Sequence, residues 1–386
     1  MNQPLVNRVT TVFKEKFTSE PVLYFSPGRI NIIGEHVDYN DGFVMPAAID
    51  KGVYFAIAAN GTAGQLNFYS IDFNESLTIE RADIRPMVNW KNYVLSVVNQ
   101  FVEAGVHIEG FDCVLGGDIP RGSGMSSSAA VEGGIAFALN EMYNHGRYTR
   151  QELALLNQRA EHDYPKVKCG IMDQFANMNG KKDTVMLLDC RSIEHQYFPI
   201  KLEGYSLVLL NTKVSHSLAS SAYNERRRQC EEGLHILGSD SSITSFRDVA
   251  KADDLLIYKG RMGEEVYMRC LFVVQEIERT QLAAKLLQAN DIKDLGQLMY
   301  QTHDGLGKLY NVSCKELDFL VEQAKLNPAV IGSRLMGGGF GGCTINIVAN
   351  DAVKNFTTQA LTAYKEAYGI TGEAYIVQTS DGTYRI

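Results

Sequence analysis

The sequence predicts an α/β chain of the α+β type, built as two closely packed domains with a boundary near residue 205. Three observations predict it. The 386 residues are 45% hydrophobic and 21% charged, close to the globular average, and the length is enough for two to three domains with cores of their own. Strand-like runs rich in β-branched and aromatic residues are interleaved with helical patterns through the first half. The second half is helix-rich and closes on strands again, with no Pro/Gly/Ser linker and no repeat of 20–50 residues to suggest loosely joined modules.

Element by element, the opening MNQPLVNRVTTVFKEKF reads as a helix without the apolar stretch of a signal peptide. Residues 21–25, 43–49 and 52–59 read as strands, and 65–81 as a hairpin. From 90 to 105 the apolar positions 90, 93, 94, 97, 98, 101 and 102 follow a helical stripe that stops at Gly105. A strand at 111–116, a Gly/Ser loop at 117–128 and helices at 129–143 and 150–164 follow. Strands at 184–189 and 205–211 end the first half. Helical patterns at 217–236, 247–257, 263–289, 315–325 and 351–368 fill the second, with strands at 344–349 and 373–378.

Composition also limits function. Thirty-seven basic against 45 acidic residues leave a net charge of −8, which argues against a nucleic-acid partner. No run of about 18 apolar residues predicts a membrane span. The seven cysteines lack any CxxC pair, which fits neither a zinc site nor a disulfide framework and predicts free thiols in a reducing, cytoplasmic setting.

Chemistry concentrates in glycine-rich segments. GDIPRGSGMSSSAAVE at 117–132 places Gly122, Gly124 and three serines between a strand and a helix start. Glycines let the backbone approach an anion, and a new helix offers free N–H groups. The segment lacks the lysine of a Walker A loop and the spacing of a dinucleotide fingerprint. A serine-capped helix after a flexible loop is the bland alternative. SPGRINIIGEHVDYNDG at 26–42 gathers Arg29, Glu35, His36, Asp38 and Tyr39, a donor and acceptor set suited to a polyhydroxylated ligand, or equally a charged surface loop. LMGGGFGGC at 335–343 has more glycine than a turn needs, implying a backbone pressed against another segment or a phosphate. In CGIMDQFANMNG, at 169–180, Asp173 stands alone among apolar and amide residues, as a perturbed acid or a helix cap.

Together these segments resemble the GHMP small-molecule kinases, and within them the galactokinase branch. GRINIIGEHVDYNDG at 28–42 is similar to that branch's signature, PRGSGMSSSAA at 120–130 to the ATP-phosphate motif, and LMGGGFGGC to the third motif. CGIMDQ at 169–174 and YNERRRQC at 223–230 extend the likeness over residues 22–348. The resemblance implies the two-domain GHMP-kinase fold, residues 1–205 and 206–386, with the last strand free to pack back on the first domain and the active site in the cleft between domains. It implies galactose phosphorylation at the C1 hydroxyl, with ATP as co-substrate and Mg²⁺. Asp173 would face that hydroxyl, with Arg29 beside it. Glu35, His36, Val37, Asp38, Gly170 and Tyr223 would bind the sugar. Gly122, Ser123, Gly124, Met125, Ser126, Ser127 and Ser128 would wrap the phosphates. Ser70, Trp90 and Tyr93 would lie near the adenine, although Trp90 and Tyr93 also fit plain helix-core packing. Ser128 and Glu161 would hold the metal. A monomer without nucleic-acid or membrane partners is expected.

Met125 stands where the family usually has Leu, a volume-conserving change, and Lys166 and Lys168 replace a more neutral run. Two rival functions remain: a kinase of another substrate such as N-acetylgalactosamine, and a non-catalytic sensor of galactose and ATP. The intact Ser128-Ala129 step favours catalysis over the sensor.

Overall fold

The computed structural model describes residues 1–215, 219–240 and 242–386. In chain order the elements are α1 (Gln3–Lys16), β1 (Val22–Asn31), β2 (Phe43–Val44), β3 (Pro46–Ala59), β4 (Gln65–Ser70), β5 (Glu75–Glu80), α2 (Trp90–Glu103), β6 (Phe111–Gly117), α3 (Ser127–Asn144), α4 (Arg150–Asp163), α5 (Met172–Asn179), β7 (Thr184–Asp189), β8 (His195–Pro199) and β9 (Tyr205–Ser215). There follow α6 (Ala219–Asp240), α7 (Lys259–Gln288), α8 (Ile292–Lys308), α9 (Lys315–Lys325), β10 (Val330–Leu335), β11 (Gly341–Ala349), α10 (Val353–Tyr368), β12 (Glu373–Val377) and β13 (Tyr384–Arg385). Among the described residues no helix is long and apolar enough to cross a membrane.

Three sheets organise these elements. The first runs β13-β1-β3-β6-β4-β5, the second β10-β11-β9-β12, and a small third β2-β7-β8. Within the first sheet β1 pairs antiparallel with β3, and the register shifts between Pro27 and Arg29. That irregularity re-aims the end of β1, where Arg29 stands. On its other edge β1 pairs with β13, Tyr24 facing Arg385, so the end of the chain completes a sheet begun near its start.

The local causes are visible in sequence. In α1 the Asn2 side chain accepts from the Leu5 N–H, and Val6, Val9 and Phe13 form the buried stripe. A capping box between Thr149 and Glu152 starts α4. Helix α3 lies hard against its neighbours, since a Cβ on Gly134 would fall 2.1 Å from the Phe55 ring. Phe175 of α5 is fully buried; a side chain of that kind contributes roughly 1.5–3 kcal/mol by leaving water. This fixes the short helix that carries Asp173.

Several expectations differ in detail. The runs 43–49 and 52–59 form mostly one strand, β3, because the polar Asp50-Lys51-Gly52 break stays extended and Gly52 remains paired with Pro27. Residues 247–257 contain 3-10 turns rather than a regular helix. Strands β8 and β10 and helix α8 were not signalled by the sequence patterns weighed above. The helix expected at 217–236 is present from Ala219, its first described residue; residues 217 and 218 lie outside the described residues.

Candidate functional site

Four segments distant in sequence converge beside the start of α5. Arg29, at the irregular end of β1, meets Asp173 in the first turn of α5 through two parallel hydrogen bonds, Nε to Oδ1 at 2.7 Å and Nη2 to Oδ2 at 2.9 Å. The third guanidinium nitrogen, Nη1, donates to the Gly124 carbonyl of the serine-rich loop. Ser126 Oγ donates to Asp173 Oδ2 at 2.6 Å. Burial opposes the charge of Arg29, but Asp173, Glu35 and Asp38 outweigh it and push the guanidinium pKa up. Asp173 keeps access to solvent, with 26% of its side chain exposed against 5% for Arg29.

These residues border a cavity of about 130 Å³ lined also by Glu35, His36, Asp38, Glu161, Cys169, Gly170, Tyr223, Gly337 and Gly338. Asp38 is pushed up to about 7, first by burial and then by Asp173 and Glu35, while the Met172 and Tyr39 amides oppose the shift. Gly170 is there because nothing larger fits: a Cβ would sit 2.1 Å from Asp38 Oδ2. Glu35 Oε1 accepts from Arg334 Nη1 and from the Gly337 N–H, both at 2.9 Å. His36 takes a left-handed backbone, φ +62°, that turns its ring toward the cavity. Both ring nitrogens are engaged, Nδ1 with Tyr39 Oη at 2.7 Å and Nε2 with the Gly338 carbonyl at 3.2 Å. Val37 points elsewhere: it is fully buried in the apolar core and does not line the cavity.

A second cavity, about 670 Å³, is lined by Ser70, Trp90, Tyr93, Ser127 and Ser128 together with Asp72, Phe73 and Arg121. The sequence thus grouped five of its residues. Trp90 is also 4% exposed and Nε1 donates to Glu75, so packing and cavity lining hold together. Gly122 and Gly124 have φ of +68° and +74°, open to glycine at little cost. Met125 and Ser123 are buried beneath the loop, and the Met125 carbonyl accepts from the Arg29 N–H.

Glu161, from α4, lines the small cavity and Ser128 the large one, the Ser128 hydroxyl standing near the Glu161 carboxylate. Burial pushes it up to about 7, Asp173 adds to this, and the bonds from Ser128, Cys169 and Gln174 oppose it. Gln174 Nε2 donates to Glu161 Oε2 at 2.6 Å. Behind them Glu132 is completely buried, and burial pushes its carboxyl far up. Among the described residues no group of three or more His, Cys, Asp or Glu is placed to hold a metal.

Sequence reasoning missed three participants. Arg334, fully buried on β10, donates to the Ile32 and Asn31 carbonyls as well as to Glu35. Its only signal was its position next to the third glycine segment. Arg121 stacks over Phe73 at 3.8 Å at the rim of the larger cavity. Tyr310, remote in sequence, packs 5.0 Å from the His36 ring. A further depression, about 620 Å³, lies between α7 and α8, apart from all these residues.

Comparison with known proteins gives consistent results. Three family models match: the galactokinase galactose-binding signature at 11–59, the GHMP kinase N-terminal domain at 92–181 and the GHMP kinase C-terminal domain at 283–366. The chain is 38% identical over 384 residues to a galactokinase of Clostridium perfringens, covering 98% of each chain. It is 36% identical over 361 residues to one of Thermotoga neapolitana, covering 94% of this chain and 99% of the relative. The crystal structure of Lactococcus lactis galactokinase complexed with galactose superposes with a TM-score of 0.94 at 33% identity, covering 98% of this chain and 99% of that one. A mevalonate kinase from Methanococcus jannaschii, 18% identical with a TM-score of 0.66, shares the fold.

Proposed function

The chain belongs to the galactokinase family of the GHMP kinases, and from that premise we propose that it transfers the γ-phosphoryl group of ATP to the C1 hydroxyl of α-D-galactose, giving galactose 1-phosphate and ADP. The observation that carries the reading is the Arg29–Asp173 pair, which stands at the border of the small polar cavity while Arg29 also grips the serine-rich loop. Sugar in the small cavity and nucleotide in the large one would meet there.

The residue roles follow from the chemistry. The sugar hydroxyl forms a bond to the γ-phosphorus as the bond from that phosphorus to the bridging oxygen breaks; its proton needs an acceptor. Asp173 is the acceptor and positioner, and Arg29 orients its carboxylate and faces the charge that develops on the phosphoryl oxygens. Asp38, Glu35, Tyr223 and the close-packed backbone at Gly170 surround the hydroxyls of the sugar. The N-terminus of α3 and the amides of residues 122–128 cradle the phosphates. Trp90, Tyr93 and Ser70 flank the adenine.

A magnesium site fits the oxygens of Glu161 and Ser128. A buried carboxylate beside a hydroxyl suits a hard cation that keeps most of its waters and takes only one or two protein ligands, so a cluster of three acidic or imidazole ligands is not required. Bound there with ATP, Mg²⁺ would neutralise phosphate charge.

The proposed domain division at residue 205 is supported by the start of β9, which pairs with β11 and β12. A cytoplasmic monomer belongs to the same proposal and is tested by fractionation and sedimentation. The function itself is tested by ADP release from ATP–Mg²⁺ with galactose, glucose and N-acetylgalactosamine side by side. Turnover with galactose at least about 10³-fold above glucose is expected, because a site of fixed polar partners leaves some unpaired with the C4 epimer. Binding of galactose without turnover would favour the sensor, and preference for another sugar would overturn the substrate.

A further inference from the structure

A line of polar side chains runs away from His36 into the second half of the molecule. Tyr39 Oη lies 2.7 Å from His36 Nδ1, Tyr310 Oη lies 2.9 Å from Tyr39 Oη, and Cys230 Sγ lies 3.1 Å from Tyr310 Oη. At the other end His36 Nε2 lies 3.2 Å from the carbonyl of Gly338, in the third glycine segment. His36, Cys230 and Tyr310 are 3%, 0% and 0% exposed and Tyr39 between them is half-buried, so water does not compete for the two ends of the line.

The direction of the line can be deduced. A carbonyl oxygen only accepts, so His36 Nε2 carries a proton. In the neutral imidazole Nδ1 is then bare and must accept from the Tyr39 hydroxyl. That uses the single Tyr39 proton, so the Tyr39 oxygen accepts from Tyr310. The Tyr310 proton is spent in turn, and its oxygen accepts from the thiol of Cys230. Burial keeps the imidazole neutral, with a pKa pushed down to about 4, the nearby Glu35 opposing.

We propose that Tyr39 and Tyr310, backed by Cys230, are positioning residues: their one-way hydrogen-bond chain holds His36 as the Nε2–H tautomer and thereby ties the Gly338 segment to the wall of the sugar cavity. The role in sugar affinity rests on the function proposed above, whereas the tautomer does not. The segment held in this way also touches the other cavity's loop. A Cβ on Gly337 would lie 3.1 Å from the Gly124 carbonyl, and one on Gly342 would lie 3.2 Å from that of Gly122. The tautomer of one imidazole therefore bears on the backbone shared by both sites. Tyr223, whose ring centroid is 5.2 Å from that of His36, packs against the same ring without joining the chain.

The test is a long-range ¹H–¹⁵N spectrum of the ¹⁵N-histidine-labelled full chain, with the His36 signals assigned by their loss in His36→Gln. The Nε2–H tautomer is expected in the wild type. Tyr39→Phe keeps the ring and removes the hydroxyl. It should shift His36 toward a mixture of tautomers and raise KM for galactose about 5- to 30-fold, the loss typical of one or two buried hydrogen bonds. The KM for ATP and the melting temperature should move little. Tyr310→Phe should have a weaker effect in the same direction, and Cys230→Ser, which keeps a donor, should preserve the tautomer. An Nδ1–H tautomer in the wild type would overturn the proposal. So would a Tyr39→Phe variant with an unchanged spectrum and unchanged KM, or one in which both KM values and the melting temperature move together. A tautomer that responds as expected in a protein that turns over no sugar would leave the chain standing and defeat the proposed function.

Discussion

Arg29 and Asp173 are joined by two nearly equal hydrogen bonds, 2.7 and 2.9 Å, which fix the plane of the carboxylate as well as its distance. A point charge would fix the distance alone. Since Arg29 also donates to the Gly124 carbonyl, the orientation of the carboxylate and the placement of the serine-rich loop are set by one side chain.

Asp173→Asn should therefore remove nearly all turnover in a folded protein. Asn matches Asp in volume but cannot take the proton or offer two acceptors to Arg29. A kcat loss of about 10²–10⁴-fold is expected, with circular dichroism and galactose titration confirming an intact fold. The N-cap position of α5 is Ile171, so Asp173 is not the cap; a variant that keeps more than about a tenth of wild-type kcat would show that Asp173 does not take the proton.

Arg29→Lys should be nearly as severe. The ammonium keeps the charge but loses the fork, leaving either Asp173 or the Gly124 carbonyl without its donor. Steady-state kinetics should place the loss in kcat, by about 10²-fold or more, rather than in KM for the sugar. A loss confined to KM would separate Arg29 from the phosphoryl transfer.

Glu161→Ala and Ser128→Ala should raise the Mg²⁺ concentration needed for half-maximal rate and lower kcat while leaving galactose affinity nearly intact. Magnesium titrations and calorimetry with galactose separate the two. Selective loss of galactose affinity would remove these residues from the metal site.

Gly170→Ala should raise KM for galactose by about tenfold or more, because the new methyl occupies the place of the Asp38 carboxylate. Kinetics at fixed ATP tests it, and an unchanged KM would show that Asp38 does not contact sugar.

Asp38 gives a pH test. Its folded pKa of about 7 lies above the unfolded value near 3.8, so the folded state holds the extra proton between them. The contribution of Asp38 to stability is then fully present below about pH 4 and is lost as pH rises through 7. Relative to wild type, Asp38→Asn should gain stability from pH 5 to 8, by roughly 1–3 kcal/mol. Urea unfolding at both pH values measures the difference, and a gain of the opposite sign would place a cation beside Asp38.

Local patterns carried much of this. The stripe at 90–102 and the strand–loop–helix grammar of 111–143 needed only neighbouring residues; α2, β6 and α3 stand there, although Val102 of the stripe is exposed and α3 starts at Ser127 rather than 129. Arg334 was illegible for the opposite reason. Its partners are Asn31, Ile32 and Glu35, three hundred residues earlier, and a buried arginine reads like any surface arginine until its carbonyls are in place. Tyr310 was hidden likewise. Val37, which the resemblance groups with its polar neighbours, is an apolar side chain fully buried in the core, while Glu35, His36 and Asp38 line the cavity.

The pairing of β13 with β1 has a consequence for biosynthesis. Tyr24 and Phe25 emerge from the ribosome about 360 residues before their backbone partners Arg385 and Tyr384. Until those partners are made, one edge of the first sheet is an open row of donors and acceptors, which invites pairing with other chains. That segment also reaches α5, for Thr383 bonds Asn177, which in turn bonds Ser26 and the Pro27 carbonyl. Nascent chains released before residue 383 would thus lack both the guard on that edge and the brace behind Asp173. Their lesion would surface as aggregation during synthesis before any defect in turnover could be measured.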